Sequence, residues 1–478
     1  MKKYIYSFLL GGSLLLGSCS DFTDIQPKGK NLLSTTDELD MLLNNEFRYG
    51  SKDRQELCGD MITALQNIPT LINQPTKTRA AILISWDETN QDKMAELTAS
   101  DRDYSEYYSI IGKIANAILA RVDDATGAAS VKAQLKSEAL VLRAFYHYLL
   151  VNKFAKAYNP ATAAQDPGIP YMTEDQDLTV SVEKLTVQQV YDRILDDVNE
   201  AIDLNALPTV ATNRMRMNKP ASYAVKAWTL ISMQRFDDAE AAATQSLALN
   251  NTVNNYNEML TTLKGYIIGG TYPVIFRPTL QCEEDLFFIY GLEFFSAIST
   301  EAWNAFETGH ASRDKMGNDR MVYDYLMGMG LSYIGLDYTF TYDLNSGWNS
   351  EGLKTTHMYL IIAEAEIHKG DYDAAMRALD AIRVMRIDPS VYTPLEGTIK
   401  TEADAIFHLK QTSHGENIYS CYNYMQRKRW NQVEGYKETF TRDIAGQVFT
   451  LTPDSPMWIF PFPVNAVSLN PNLTQNYK

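Results

Sequence analysis

HMYLIIAEAEIHKGDYDAAMRALDAIRV, residues 357–384, decides the fold. Two apolar-periodic runs are broken at Lys369-Gly370-Asp371, and Gly370 fits a helix C′ position that needs positive φ. A second stretch, SYAVKAWTLISMQRFDDAEAAATQSLAL (222–249), superposes on the first. Phe236 falls on Tyr372, Ala239 on Ala375, Ala243 on Leu379 and Ala227 on Ala363. Small residues at these places let two antiparallel helices approach closely. The aromatic after the turn fills the gap between them. Trp228 lies inside one of these helices and reads as core.

A helix–turn–helix recurring in about 34 residues is the tetratricopeptide pattern, and upstream segments extend it. DYSEYYSIIGKIANAILARV (103–122) spaces Tyr107, Ile110, Ile114, Ala117 and Val122 near helical period. VKAQLKSEALVLRAFYHYLLVNKF (131–154) puts Leu135, Ala139, Leu142, Tyr146 and Leu149 on one face. Thr186 with Gln189 three residues on reads as a capping box, before a face of Val187, Val190, Ile194, Val198 and Ala201. Helix pairs are thus expected at about 103–154, 186–249 and 357–384. Residues 250–350 are rich in Gly, Asn and aromatics with weak periodicity, so loops and short elements are expected there, and again from about 385 to 478. Loops on a rigid scaffold are where binding usually sits.

At the N-terminus, Lys2 and Lys3 precede an apolar run from Tyr4 to Gly17, too short to span a bilayer. Residues 1–18 read as an export signal. Leu16-Gly17-Ser18-Cys19 resembles a bacterial lipobox, which implies a Cys19 thiol that carries diacylglycerol. Residues 19–34 read as a polar tether.

The 478 residues include 43 Lys plus Arg and 59 Asp plus Glu, a net charge of −16, or −18 once Lys2 and Lys3 leave with the signal. Such acidity argues against nucleic acid, because nothing would neutralise phosphates. Cys58, Cys282 and Cys421 are far apart and form no CxxC pair, so they read as buried thiols. The chain contains no HExxH, GxSxG, Walker loop or GxGxxG, and its six histidines never pair at metal spacing. His147, on a helix, reads as a satisfied buried side chain. No cofactor and no metal are expected. Asp343, Asn345, Asn349 and Glu351 around Gly347 have the oxygen spacing of a calcium loop but lack the EF-hand glycine, and a polar surface turn is the favoured reading.

Four segments together resemble the SusD/RagB family, nutrient-capturing surface lipoproteins of Bacteroidetes. The start, Cys19-Ser20-Asp21-Phe22 with Pro27, resembles that family's mature N-terminus. SEALVLRAFYHYLLVNKF is similar to its AExxFLRAxxYFxL segment through Glu138, Leu142, Arg143, Ala144 and Tyr148. MYLIIAEAEIHKGDYDAAMRALDAIR is similar to its AEAxxxxG segment through Ala363, Glu364, Ala365, Gly370 and Arg383. The C-terminus, PMWIFPFPVNAVSLNPNLTQNYK, is the most specific, through Pro461, Pro463, Asn470, Pro471, Leu473, Gln475, Asn476 and Tyr477. Asn465 stands where the family carries an acid, and the region before Arg427-Lys428-Arg429-Trp430 departs from its pattern.

The resemblance implies a mainly α fold, a right-handed superhelix of tetratricopeptide-like helix pairs with a loop-rich ligand-binding portion packed on it, in one domain over 35–478. It implies a lid, lipid-anchored at the outer membrane and exposed at the cell surface. This lid binds an oligosaccharide, or in some branches an oligopeptide, and delivers it to a SusC-like TonB-dependent barrel without breaking a bond. A secreted helical glycosidase is the alternative from another class, since two carboxylates placed in space leave no sequence signature. By position the resemblance points to Trp86, Asp87, Asn90, Tyr290, Trp303 and Trp348 as ligand-binding residues. A sugar's C–H face packs on a ring while amides and acids take its hydroxyls. Trp458 reads as structural.

Overall fold

The computed structural model describes residues 33–48, 50–58, 61–63, 67–177, 179–259, 282–290, 295–316, 338–342, 349–418 and 420–476. The export signal, Cys19 and most of the tether lie outside these residues, as do Trp348, Asp343, Asn345 and Tyr477.

The helices that build the frame are α1 (Thr36–Leu43), α2 (Asp53–Cys58), α3 (Arg79–Ile84), α4 (Arg102–Ile110), α5 (Asn116–Leu119), α6 (Ala129–Phe154), α7 (Val187–Asp203), α8 (Lys219–Ser232), α9 (Phe236–Leu249), α10 (Thr355–Lys369), α11 (Tyr372–Arg383), α12 (Glu402–Asn417), α13 (Cys421–Trp430) and α14 (Val464–Leu469). Successive helices pack as antiparallel pairs: α6 on α7, α8 on α9, and α10 on α11, with α9 against α10 joining the last two.

The small residues sit where close approach requires them. Ala227, Ala239, Ala243, Ala363, Ala375 and Leu379 are all fully buried. Gly370 adopts φ +79° and closes α10. The aromatic after the first turn, Phe236, stacks on His368 of the neighbouring pair at 3.7 Å. The α7 capping box forms as expected: Gln189 N donates to Thr186 Oγ1 (3.2 Å) and Thr186 N to Gln189 Oε1 (3.0 Å). The five residues of its apolar face are fully buried.

α6 departs from its one-faced reading. Every residue from Ser137 to Phe154 is buried, so this helix, about 39 Å long, is a central pillar. Its polar residues are paired: Glu138 accepts from Arg216 (2.7 and 2.9 Å), and Arg143 grips Asp197 with two bonds of 2.7 Å. His147 is enclosed. Its Nε2 accepts from Met172 N (3.0 Å) while its ring stacks on Tyr171 at 3.7 Å, and burial pushes its pKa down to about 3.

The segment after 385, expected to be irregular, carries α12 and α13. Their polar residues are enclosed too, which removes the amphipathic signal. Lys428 Nζ caps the end of α6 by donating to Asn152 O and Ala155 O (2.6 Å each), and Trp430 Nε1 donates to Glu364 (3.0 Å).

The strands are few. β1 (Met61–Thr63), β3 (Phe295–Ser299) and β4 (Tyr338–Tyr342) form an antiparallel sheet in the order β1-β3-β4. β2 (Asp285–Phe287) pairs with β5 (Leu353–Lys354). β6 (Phe440–Ile444) and β7 (Gln447–Leu451) form a hairpin closed by Ala445 and Gly446, both at positive φ, as a tight two-residue turn demands.

The C-terminal motif is a clamp. Asn476 Nδ2 donates to Phe154 O (2.7 Å) and Phe460 O (2.8 Å), Gln475 exchanges two bonds with Phe462, and Leu473 is fully buried. Cys58, Cys282 and Cys421 are buried free thiols, and Trp228 and Trp458 are core.

Candidate functional site

α2 is the short helix from which bonded paths run towards the expected residues. Its Leu57 carbonyl accepts the Trp86 indole N–H at 2.7 Å. Its Arg54 reaches Glu351, two residues beyond Asn349, and Asn349 pairs with Tyr290. The next carbonyl, Cys58 O, accepts from Arg427 (3.3 Å). The Arg427 guanidinium in turn approaches His414 Nδ1 (3.5 Å), and His414 Nε2 donates to Ala302 O beside Trp303 (2.7 Å).

Two expected ligand rings are packed in the structure. Trp86 is 5% exposed, with the Arg442 guanidinium 4.2 Å from its ring centroid, so no ring face is free. Its backbone sits at φ +48°, a left-handed conformation that costs a non-glycine residue about 1–2 kcal/mol. Burial of the indole and its hydrogen bond offset that strain. Trp303 is 9% exposed and packs with Phe306, Tyr256 and Ile418. The coverings differ: Arg442 of β6 closes over Trp86, whereas Trp303 is enclosed in an apolar cluster.

Asp87 and Asn90 are half-buried and tie the turn after Trp86. Asp87 accepts from Thr89 N (3.1 Å) and Thr89 Oγ1 (2.5 Å) on one oxygen and from Asn90 Nδ2 (2.8 Å) on the other. Tyr290 differs. Its ring is half-buried, edge-on to Phe288 at 4.9 Å, with the guanidinium of Arg48 5.9 Å from its centroid. Arg48 pairs with Glu46 (2.8 Å), and both side chains are about half exposed. Ring, guanidinium and carboxylate therefore meet at the surface.

The oxygen-rich turn is neither an ion loop nor a surface turn over its described part. Asn349 and Glu351 are buried. Asn349 Nδ2 donates to Asp285 (2.8 Å) and Phe287 O (2.7 Å), and Glu351 accepts from Tyr107 OH (2.6 Å) and Arg54. Beneath it, Lys153 Nζ meets Asp103 (2.6 Å) and Asp101 (2.8 Å), and Arg79 grips Asp53 with two 2.6 Å bonds. Burial, with the like charge of Asp103, lifts Glu351 to about 7 against the pull of Arg54. Burial also acts on Asp53, but Arg79 and Lys153 outweigh it and hold that carboxyl below the usual range. No group of His, Cys, Asp and Glu among the described residues is arranged to hold a metal ion.

Sequence reasoning missed the cations. Arg442 lies over Trp86 and Arg48 over Tyr290, and both are remote in the chain from the rings they meet. Only Arg442 left a trace: the alternation of β6 turns it inward together with Ile444.

Residues 53–229 match a family model, SusD-like, described as starch-binding and associating with the outer membrane. Solved structures share the fold over most of the chain. A SusD-superfamily protein from Bacteroides thetaiotaomicron aligns at 16% identity and a TM-score of 0.66, over 93% of this chain and 100% of that one.

Over residues 53–229 the chain is similar to SusD-like proteins. A putative sugar-binding protein from Bacteroides vulgatus aligns at 16% identity and a TM-score of 0.67, over 94% of this chain and 99% of its own. Surface glycan-binding protein A from Bacteroides uniformis aligns at 15% identity and a TM-score of 0.63, over 92% and 99%. At such identities the shared property is the fold. No curated protein matches the chain.

Proposed function

We propose that this protein captures an oligosaccharide on the face around α2 and releases it, unaltered, to a TonB-dependent barrel in the outer membrane, to whose surface Cys19 anchors it. One observation carries the site: the half-buried Tyr290 ring with Arg48 against it and Glu46 beside Arg48. A pyranose lays its C–H face on such a ring. The guanidinium and carboxylate then donate to and accept from its hydroxyls at charge-assisted strength. Asp87, Asn90 and Trp348 are further candidates for the same ligand. The glycan-binding names of structural neighbours support the class of ligand.

The test is calorimetric titration of residues 20–478 with host and plant glycans, beside Tyr290→Ala and Arg48→Ala. One glycan class should bind, with at least a tenfold loss in Tyr290→Ala and an unchanged melting temperature. Equal affinity in both variants would move the site elsewhere. Binding of peptides in place of glycans would overturn the ligand class.

A further inference from the structure

A cavity of about 850 Å³, which shares no lining residue with that face, lies between the α4–α5 region, residues 170–176 and 179–182, and the end of α14. Its size is within the range of small-molecule sites. Its origin is local. Between α4 and α5 the chain makes a π turn, Ile111–Ala115, which widens the helix by one residue. Such turns recur at functional sites. Gly112, Ala117 and Ala120 then present almost no side chain to the cavity, and a Cβ placed on Gly112 would meet nothing within 4 Å.

The opposite wall is mixed: Met172, Val182 and the exposed Val180 and Leu469 supply apolar surface between polar side chains, with Tyr104 and Tyr108 set edge to face at 4.8 Å. The polar groups include amides and an acid that are engaged within the protein. Asn116 donates to Met172 O (3.1 Å) and accepts from Arg143 (3.2 Å), Asn470 donates to Val182 O (2.8 Å), and Glu174 is held by Arg143. Lys113 and Arg121, both exposed at the rim, have no ion-pair partner among the described residues, although the chain carries a net charge of −16. They stand eight residues apart, about 12 Å along the helical wall, so one acid group meets one cation and an apolar body fills the rest.

We propose that this cavity binds an anionic amphiphile, a small organic acid with an apolar ring or chain, independently of glycan capture.

The probes are two dyes with the same kind of ring system, anilinonaphthalene sulfonate and the uncharged N-phenylnaphthylamine, titrated by fluorescence into residues 20–478. The sulfonate should bind saturably, one per chain, at least tenfold tighter than the neutral dye. Dodecanoate should displace it and glucuronate should not. Gly112→Phe fills the cavity without meeting a neighbour at its Cβ and should weaken the sulfonate at least tenfold. Lys113→Gln with Arg121→Gln should erase the preference between the dyes while leaving neutral-dye binding in place. Wild-type affinity in Gly112→Phe, equal binding of the two dyes to the parent protein, or displacement by glucuronate alone would each overturn the proposal. The Tyr290 glycan titration, repeated on Gly112→Phe, should be unchanged, so this site and the glycan site fail separately.

Discussion

The helix pairs α8–α9 and α10–α11 and the loop face around α2 bury comparable side chains by different rules. In the pairs, a buried residue is set by its spacing. Ala227, Ala239 and Ala243 on one pair and Ala363, Ala375 and Leu379 on the other recur at helical period, and all are fully buried. At the loop face, burial is set by partners far along the chain. Trp86 is covered by Arg442 and bonded to Leu57, and Trp303 lies where α12 supplies His414. An aromatic in a repeat therefore announces its environment, whereas an aromatic in a loop does not, because the group that covers it is neither adjacent nor periodic.

The largest expected effect tests that contrast directly. Trp86→Ala should destabilise the fold by about 3–5 kcal/mol, the range for deleting a buried aromatic, read as a shift of the urea midpoint. Glycan affinity, measured where the variant is still folded, should fall less than in Tyr290→Ala. A Trp86→Ala protein of ordinary stability that has lost its ligand would break the comparison and return this ring to the binding site. On the repeat side, Ala363→Leu adds volume where two helices touch and should cost about 1–3 kcal/mol. A neutral result in thermal melts would mean that the close approach is not what fixes the alanine there.

Much of the helical frame was legible because its contacts are local. The α7 capping box, the glycine at Gly370 and the small-residue positions each rest on a few neighbouring residues. α12 and α13 escaped for the opposite reason: residues such as Glu416, Asn417, Lys428 and Arg429 are buried among partners from other helices, so no apolar stripe marks them. The candidate site was legible as a neighbourhood only. Position pointed to Trp86, Asp87, Asn90, Tyr290 and Trp303, of which only Trp86 touches α2 directly. Arg442 covers Trp86 and Arg48 flanks Tyr290, and nothing near the rings specifies these cations. The oxygen-rich turn shows the same limit, since its acid Glu351 is claimed by Arg54 and Tyr107 from distant helices.

That acid allows the contrast to be read against pH. Glu351 titrates near 7 in the folded protein, above its ordinary value of 4.5. The folded state therefore binds the proton more tightly than the unfolded chain, and this contribution grows as pH falls from about 8 towards 4.5. Between pH 8 and pH 6 the gain should be on the order of 1 kcal/mol. Glu351→Gln keeps an acceptor for Arg54 without the titration, so its melting temperature should vary less with pH over that interval. Below pH 4 the sign reverses. Burial opposes ionisation of Glu416, but Arg386 and Lys354 prevail and hold it at about 2, so its contribution is lost as pH falls through that value. An identical slope in wild type and Glu351→Gln between pH 8 and pH 6 would assign the dependence to another buried acid, with Asp285, also lifted to about 7 by burial, as the next to replace.

The smallest expected effect isolates backbone from packing within the repeat. Gly370 is at φ +79°, and a Cβ added there meets nothing within 4 Å. Gly370→Ala thus introduces left-handed strain and no clash, and should cost about 1 kcal/mol. Gly370→Asn should cost less, because asparagine tolerates that conformation better than alanine. Both should leave the Tyr290 site and the cavity at Gly112 untouched, since the turn joins only α10 to α11. Equal melting temperatures for alanine, asparagine and glycine would show that the turn is held by the helices it joins. In that case the glycine would follow from the repeat's packing, and the sequence signal that opened the reading of this fold would be a consequence of the helix pair, with no part in causing it.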